Sequence, residues 1–346
     1  MKGHFRNRSL TSSLQSLNPF SEGPDRKWSS NNTNGGDHEK QPRLMQMKDG
    51  DGNSVLVGSS RPTENTTWSV GHMEDKNSRW RRSMEDTHIF LYDFGNAADN
   101  GYIAVFDGHA GTQASEYCMK NLHLVLLRKL RQSPTRLVTD LLDETFVEVN
   151  KRIATDTNNE ISGCTAAVAL LRWEDNHSRQ MLYTANVGDA RIVLCRDAKA
   201  IRLSYDHKGS DRNEQKRVSQ MGGLVVQNRI NGVLAVTRAL GDTYLKELVS
   251  AHPFTTETHL WKGHDEFLII ACDGLWDVIS DQEAVDFVRR FTSPREAAAR
   301  LVQYALKRLS TDNITCIVVH LDRTTDTDDF DEAHLSSDES YQNDYY

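Results

Sequence analysis

Between residues 68 and 321, short apolar runs are separated by polar breaks at the spacing of strands. The runs are 88–92, 102–106, 166–171, 181–186, 192–195, 233–236, 267–272 and 314–321. They are rich in β-branched and aromatic residues and bounded by Gly, Asn and Asp. Longer stretches carry a helical period instead: 112–130, 137–153, and the pair 282–291 and 295–309, parted by Ser293-Pro294. A further short helix is predicted over 212–221, ended by Gly222-Gly223. Many strands follow one another with no helix between them, which requires antiparallel pairing. The order predicts a layered α+β domain of about 255 residues, not a doubly wound parallel fold.

Outside this stretch the pattern stops. Residues 1–66 hold only 13 apolar residues and many turn formers, so they are predicted as a disordered arm. Residues 322–346 carry nine acids and one Arg, and so account for the whole net charge of −8. The expected organisation is an arm over 1–66, a folded domain over 67–323 and an acidic disordered tail over 324–346. Without the tail the chain is neutral, which argues against a nucleic-acid-binding face. No apolar run is long enough to cross a membrane. No apolar stretch follows Lys2, Arg6 and Arg8, so no secretory signal is expected. Five cysteines lie at 118, 164, 195, 272 and 316 without CxxC spacing. They read as reduced, buried thiols in a cytoplasmic or nuclear protein. A monomer is expected.

Acids recur at strand ends. Asp107 follows Val105-Phe106 and precedes Gly108-His109, and Asp273 follows Ala271-Cys272 and precedes Gly274. Asp189 lies in a tight Gly188-Asp189 turn, Asp312-Asn313 precedes the last strand, and Glu85-Asp86 precedes the first. One such Asp reads as a turn or cap residue. Five sites of this kind, if they converge, crowd carboxylates that cannot all ionise without a cation. Mg2+ or Mn2+ would answer this with oxygen ligands. His109 reads either as a satisfied turn residue or as a general acid. Arg81, in the run Arg79-Trp80-Arg81-Arg82, reads either as part of a solvated basic face or as a fork for a phosphate dianion.

Several chemistries are excluded. No Cys is followed six positions later by Arg, which removes a cysteine-nucleophile phosphatase. No Gly-Lys pair exists, so there is no phosphate-binding P-loop. A GxSxG motif and zinc-type His/Cys spacing are also missing.

At these residues the sequence resembles the metal-dependent type 2C serine/threonine protein phosphatases (the PPM family), over nearly three quarters of the chain. The motifs stand in family order: Arg81-Arg-Ser-Met-Glu85-Asp86, Val105-Phe-Asp107-Gly108-His109, Ser162-Gly-Cys-Thr165, Asn186-Val-Gly-Asp189-Ala-Arg191, Asp206-His-Lys208, Leu234-Ala-Val-Thr-Arg-Ala-Leu-Gly-Asp242, Ala271-Cys-Asp273-Gly-Leu-Trp-Asp277 and Thr311-Asp312-Asn313. The short domain and the run 76–82 look most like the small fungal members, which oppose stress-activated MAP kinase cascades.

The resemblance implies a four-layer α-β-β-α sandwich with a dinuclear metal site at one end. It implies that Asp107 bridges two Mg2+ or Mn2+ ions and that the Gly108 carbonyl holds one. Asp273 and Asp312 would hold the other, and Glu85 and Asp86 would hold metal-bound waters. Asp189 and Asp277 match a weaker third position. Arg81 matches the phosphate-binding arginine and His109 the general acid. Phosphoserine or phosphothreonine on protein substrates, kinases among them, would be hydrolysed by metal-activated water without a phosphoenzyme. Three residues depart from the family pattern. Gly209 replaces the usual Pro, which would loosen the chain after Lys208; Ala190 and Thr237 each replace Ser. Two other readings remain at this point. An inactive phosphoprotein-binding scaffold would be expected to lose a metal Asp or Arg81, and all are retained. A hydrolase of small phosphoesters is separable only by substrate tests.

Overall fold

The computed structural model describes residues 44–48, 54–59, 61–157, 161–175 and 177–321. In chain order the strands of its two main sheets are β1 (Leu44–Lys48), β2 (Ser54–Ser59), β3 (Ser69–Asp75), β4 (Thr87–Tyr92), β5 (Gly101–Phe106) and β6 (Ala166–Glu174). They continue as β7 (Arg179–Val187), β8 (Arg191–Arg196), β9 (Lys199–Arg202), β10 (Phe254–His259), β11 (Asp265–Ala271) and β12 (Ile314–His320). The helices are α1 (Gln113–Gln132), α2 (Val138–Asp156), α3 (Arg212–Gln220), α4 (Asp273–Trp276), α5 (Asp281–Val288) and α6 (Pro294–Lys307). One sheet runs β1-β2-β4-β5-β6-β7-β10 and the other β9-β8-β11-β12-β3. Every pairing in both is antiparallel.

The layers follow from alternation along strands that are buried on both faces. In β5, Tyr102, Ala104 and Phe106 pack with α1 and α2, while Ile103 and Val105 meet Leu268, Ile270, Ile317 and Val319 of the other sheet. In β11, Ile269 and Ala271 turn outward onto α5 and α6. All six β5 residues are buried, so the strand reads as an unbroken apolar run. α1 buries Ala114, Cys118, Leu122 and Leu126, one face at four-residue spacing. Ser280 and Glu283 form a capping box on α5. Ser293 caps α6, with Pro294 in its first turn, where a missing N–H costs nothing. The α+β order and the antiparallel sheets therefore stand as the sequence predicts.

Three expectations are corrected. Strands β1 and β2 fall inside 1–66, which composition assigned wholly to an arm; Ser59 pairs with Tyr92 and joins β2 to β4. The short apolar stretches Leu44-Met45 and Val55-Leu56-Val57 were diluted by the polar residues around them. Residues 61–66, also assigned to the arm, are described too, with Thr66 buried; residues 1–43, 49–53 and 60, and the tail from 322 on, lie outside the described residues. The run 233–236 is not a strand but a turn with isolated bridges, Ile230 to Leu234 and Lys208 to Val236. Its apolar residues pack on α3 through Val218 instead of entering a sheet. Finally, β3, β9 and β10 were not predicted. They lie at sheet edges, and Phe254-Thr-Thr-Glu-Thr-His259 has no apolar alternation to detect.

Candidate active site

The predicted acids lie where the strands end. Asp107 leaves β5 and enters a two-residue strand, Gly108–His109. That strand pairs with Gly163–Cys164, which pairs with Leu240–Gly241. Asp189 occupies the β7–β8 turn, Asp273 opens α4 after β11, Asp312 precedes β12, and Glu85-Asp86 precede β4. Glycine is required at two of these ends. A Cβ on Gly108 would lie 2.3 Å from the Glu85 carbonyl oxygen, and one on Gly274 would lie 1.9 Å from that of Asn313.

Two groups of side chains converge. Carboxylate oxygens of Asp107, Asp189 and Asp273 lie within 4.8 Å of one another, as do ligand atoms of Asp86, Asp107 and Cys272. Neither group contains Glu85, Asp277 or Asp312. The Glu85 carboxylate accepts from Ser83 Oγ at 2.8 Å and from the Gly111 N–H at 3.1 Å. Asp312 is paired with Arg81, whose Nε also donates to the Thr311 carbonyl at 3.3 Å. Asp277 accepts from Lys208 Nζ at 3.0 Å. The Asp86 carboxylate accepts from Thr315 Oγ1 at 2.7 Å.

The electrostatics of this cluster are unbalanced. Burial, against the Thr315 bond, pushes Asp86 up to about 6. Burial, then the neighbouring carboxylates, holds Asp107 and Asp273 well above the ordinary range. Asp189 and Asp312 are raised for the same leading reason, with Lys208 and Arg81 pulling them back. Five raised carboxylates against two local cations describe a site short of positive charge. Its donors are hard oxygens, which suit a divalent cation such as Mg2+ or Mn2+. Cys272 is a bystander: burial keeps its thiol protonated, and its sulfur accepts from the Thr315 N–H at 3.1 Å.

Sequence reasoning assigned no role to three residues the fold makes important. Asp242, wholly buried, places Oδ2 2.7 Å from His109 Nε2. A Cβ on Gly163 would strike both atoms, at 2.1 and 2.4 Å, so glycine there makes the pair possible. Asn313 donates from Nδ2 to the Lys76 and Ser83 carbonyls and accepts from the Glu85 N–H, which clamps the Arg81–Glu85 loop to β12. Lys208 sits between Asp189 and Asp277. Asp242, Lys208 and Asn313 all stood inside recognisable motifs; what was missing was their partner. Gly209 also differs from expectation. It does not loosen the chain: its N–H donates to the Ala235 carbonyl at 2.8 Å, a bond proline could not make.

A family model for protein phosphatase 2C matches residues 70–314. The chain belongs to the protein phosphatase 2C family. It is 68% identical over 352 residues to protein phosphatase 2C homolog 1 of Schizosaccharomyces pombe, covering all of both chains. The Saccharomyces cerevisiae protein of the same name is 49% identical over 267 residues, which cover 74% of this chain and 94% of that one. A serine-threonine phosphatase 2C from Toxoplasma gondii shares the fold, with a TM-score of 0.65 at 20% identity over 81% of this chain and 99% of its own. The protein is a metal-dependent serine/threonine protein phosphatase. Among its described residues, no helix is long and apolar enough to cross a membrane.

Proposed function

We propose that this phosphatase 2C hydrolyses phosphoserine and phosphothreonine on proteins at the end of the sandwich marked by Asp107, Asp189 and Asp273. The observation that carries the reading is the mutual approach of those three carboxylates within 4.8 Å. Asp107, the Gly108 carbonyl, Asp273 and Asp312 would hold two Mg2+ or Mn2+ ions, with Glu85 and Asp86 orienting water beside them. Such cations supply the Lewis-acid charge that makes water nucleophilic at neutral pH.

The chain's own groups do the rest. Arg81, exposed and forked, exchanges Asp312 for the equatorial oxygens of the phosphoryl group. His109 donates a proton to the departing Ser or Thr oxygen, which is otherwise a poor leaving group. His109 Nε2 faces Asp242 Oδ2, so Nδ1 is the nitrogen left for the leaving oxygen; as general acid His109 would start as the imidazolium, give up its Nδ1 proton and end neutral with Nε2–H still on Asp242. The proposed route uses no phosphoenzyme, and the five cysteines, all buried and free, do not offer a thiolate nucleophile to the substrate.

The test is phosphate release from a phosphothreonine peptide with Mn2+ or Mg2+ and with EDTA, beside Asp273→Asn. Release that survives both EDTA and the substitution refutes the assignment. At the cellular level the proposal is a monomeric cytoplasmic or nuclear enzyme that opposes stress-activated MAP kinase signalling, supported by the likeness to small fungal members. Kinase activation-loop phosphorylation that decays equally fast after stress without the enzyme would refute that part.

A further inference from the structure

Asp189 and Asp277 do not stand open to a third ion. Lys208 Nζ lies 3.0 Å from Asp277 Oδ1 and 3.4 Å from Asp189 Oδ2. The backbone that carries Lys208 is held on all sides. Asp206 is bound by the Arg191 guanidinium. The His207 N–H donates to the Gly188 carbonyl at 2.9 Å, and Lys208 bridges to Val236. The Gly209 N–H is spent on Ala235, and a Cβ on Gly209 would lie 2.0 Å from the Asn228 carbonyl oxygen. The ammonium is therefore delivered to the two aspartates by a fixed stem, and only the side chain can swing away.

We propose that Lys208 is the resident cation of the Asp189–Asp277 position, and that a third divalent ion enters only by displacing its ammonium. This rests on the two-metal reading above. Asp189 is the joint between the two regions, since its carboxylate also belongs to the tight group with Asp107 and Asp273. A divalent ion would need both aspartates and would be repelled by a charge held a few ångströms away. The ammonium already satisfies one carboxylate charge and makes a hydrogen bond to Asp277. The weakness of a third site is thus built into the chain through an internal competitor, and does not come from poor ligands. The proximal groups are Asp189, Asp277 and, further off, Asp273.

The experiment is a Mn2+ titration of the metal-stripped full chain by calorimetry, with free Mn2+ counted by electron paramagnetic resonance. Wild type, Lys208→Met, Lys208→Arg and the double variant Lys208→Met/Asp277→Asn are compared. Lys208→Met keeps the stem and removes the charge, so the weak phase should tighten by about tenfold or more. Lys208→Arg should follow wild type, and the double variant should lose the gain. A Lys208→Met isotherm that superimposes on wild type, with the tight phase intact, overturns the competitor role alone. Absence of a tight phase in wild type overturns the metal centre and this inference with it. If Lys208→Met is unstable without metal, thermal melts decide: Mn2+ must raise its melting temperature more than that of wild type, and an equal shift overturns the proposal.

Discussion

Replacing Asp242 by Asn should slow the chemical step without weakening the fold. The Asp242 side chain is wholly buried, and its Oδ2 lies 2.7 Å from His109 Nε2. Its other oxygen, Oδ1, has no hydrogen-bond partner among the described residues. Asparagine keeps the shape and an acceptor for His109 but removes the charge. Hydrogen bonds to charged groups contribute roughly 1.5–3 kcal/mol and neutral ones roughly 0.5–1.5, so the loss is about 1–1.5 kcal/mol. If the whole loss falls on the transition state, the rate drops about tenfold. Stability should move the other way or not at all, because a half-satisfied buried carboxylate is costly to the fold. The assay compares two substrates. A phosphothreonine peptide has a leaving oxygen that needs a proton; p-nitrophenyl phosphate does not. The expected result is about a tenfold loss of kcat on the peptide, little change on the aryl ester, and an equal or higher melting temperature. Gly163→Ala checks the same pair from outside, since its Cβ would fall 2.1 Å from Asp242 Oδ2 and 2.4 Å from His109 Nε2. Equal losses on both substrates, or a fall in melting temperature that tracks the loss of rate, would show that Asp242 only supports the fold.

Asp273→Asn should cut turnover by at least about a hundredfold while raising the melting temperature in EDTA, because it removes a carboxylate that burial and its neighbours hold well above the usual range; wild-type turnover would refute this. His123 is buried in the α1 layer and burial lowers it to about 4. The fold thus favours its neutral form, and its contribution is complete above about pH 6.5 and declines as pH falls toward 4, by about 3 kcal/mol across the window. Urea unfolding between pH 7 and 4 should be less pH-dependent in His123→Leu than in wild type, and parallel curves would contradict the assignment. Removal of residues 1–43 should leave the melting temperature unchanged. Removal of 1–60 should lower it by several degrees and promote self-association, because β4 becomes a sheet edge; identical melts of the two truncations would return β1 and β2 to the arm.

How much of the molecule was legible depended on which physical signal each part emits. The strands β5, β6, β8, β11 and β12 lie inside sheets and between layers, so burial on both faces writes them as apolar runs. The edge strands β3, β9 and β10 answer to solvent on one side and carry polar residues that a pattern search passes over. The run 233–236 misled for the opposite reason: it is apolar because α3 needs a lid, not because a sheet needs a strand. The site divides the same way. Asp107 and Asp273 were visible because each stands at the end of an apolar run and beside a glycine that close packing demands. Asp242, Lys208 and Asn313 were not, since each acts through a partner 133, 69 or 230 positions away. A sequence displays where carboxylates are but not how their charge is answered. That answer is tertiary: Arg81 comes from one loop to Asp312 and Lys208 from another to Asp189 and Asp277. Asp107 and Asp86 receive no such cation among the described residues and are left raised. On the proposed assignment, the positions that the chain leaves uncompensated are the ones where a divalent ion would gain most, and the position occupied by Lys208 is where it would gain least. On that assignment, metal affinity would be decided less by the ligands than by where the protein withholds its own positive charge.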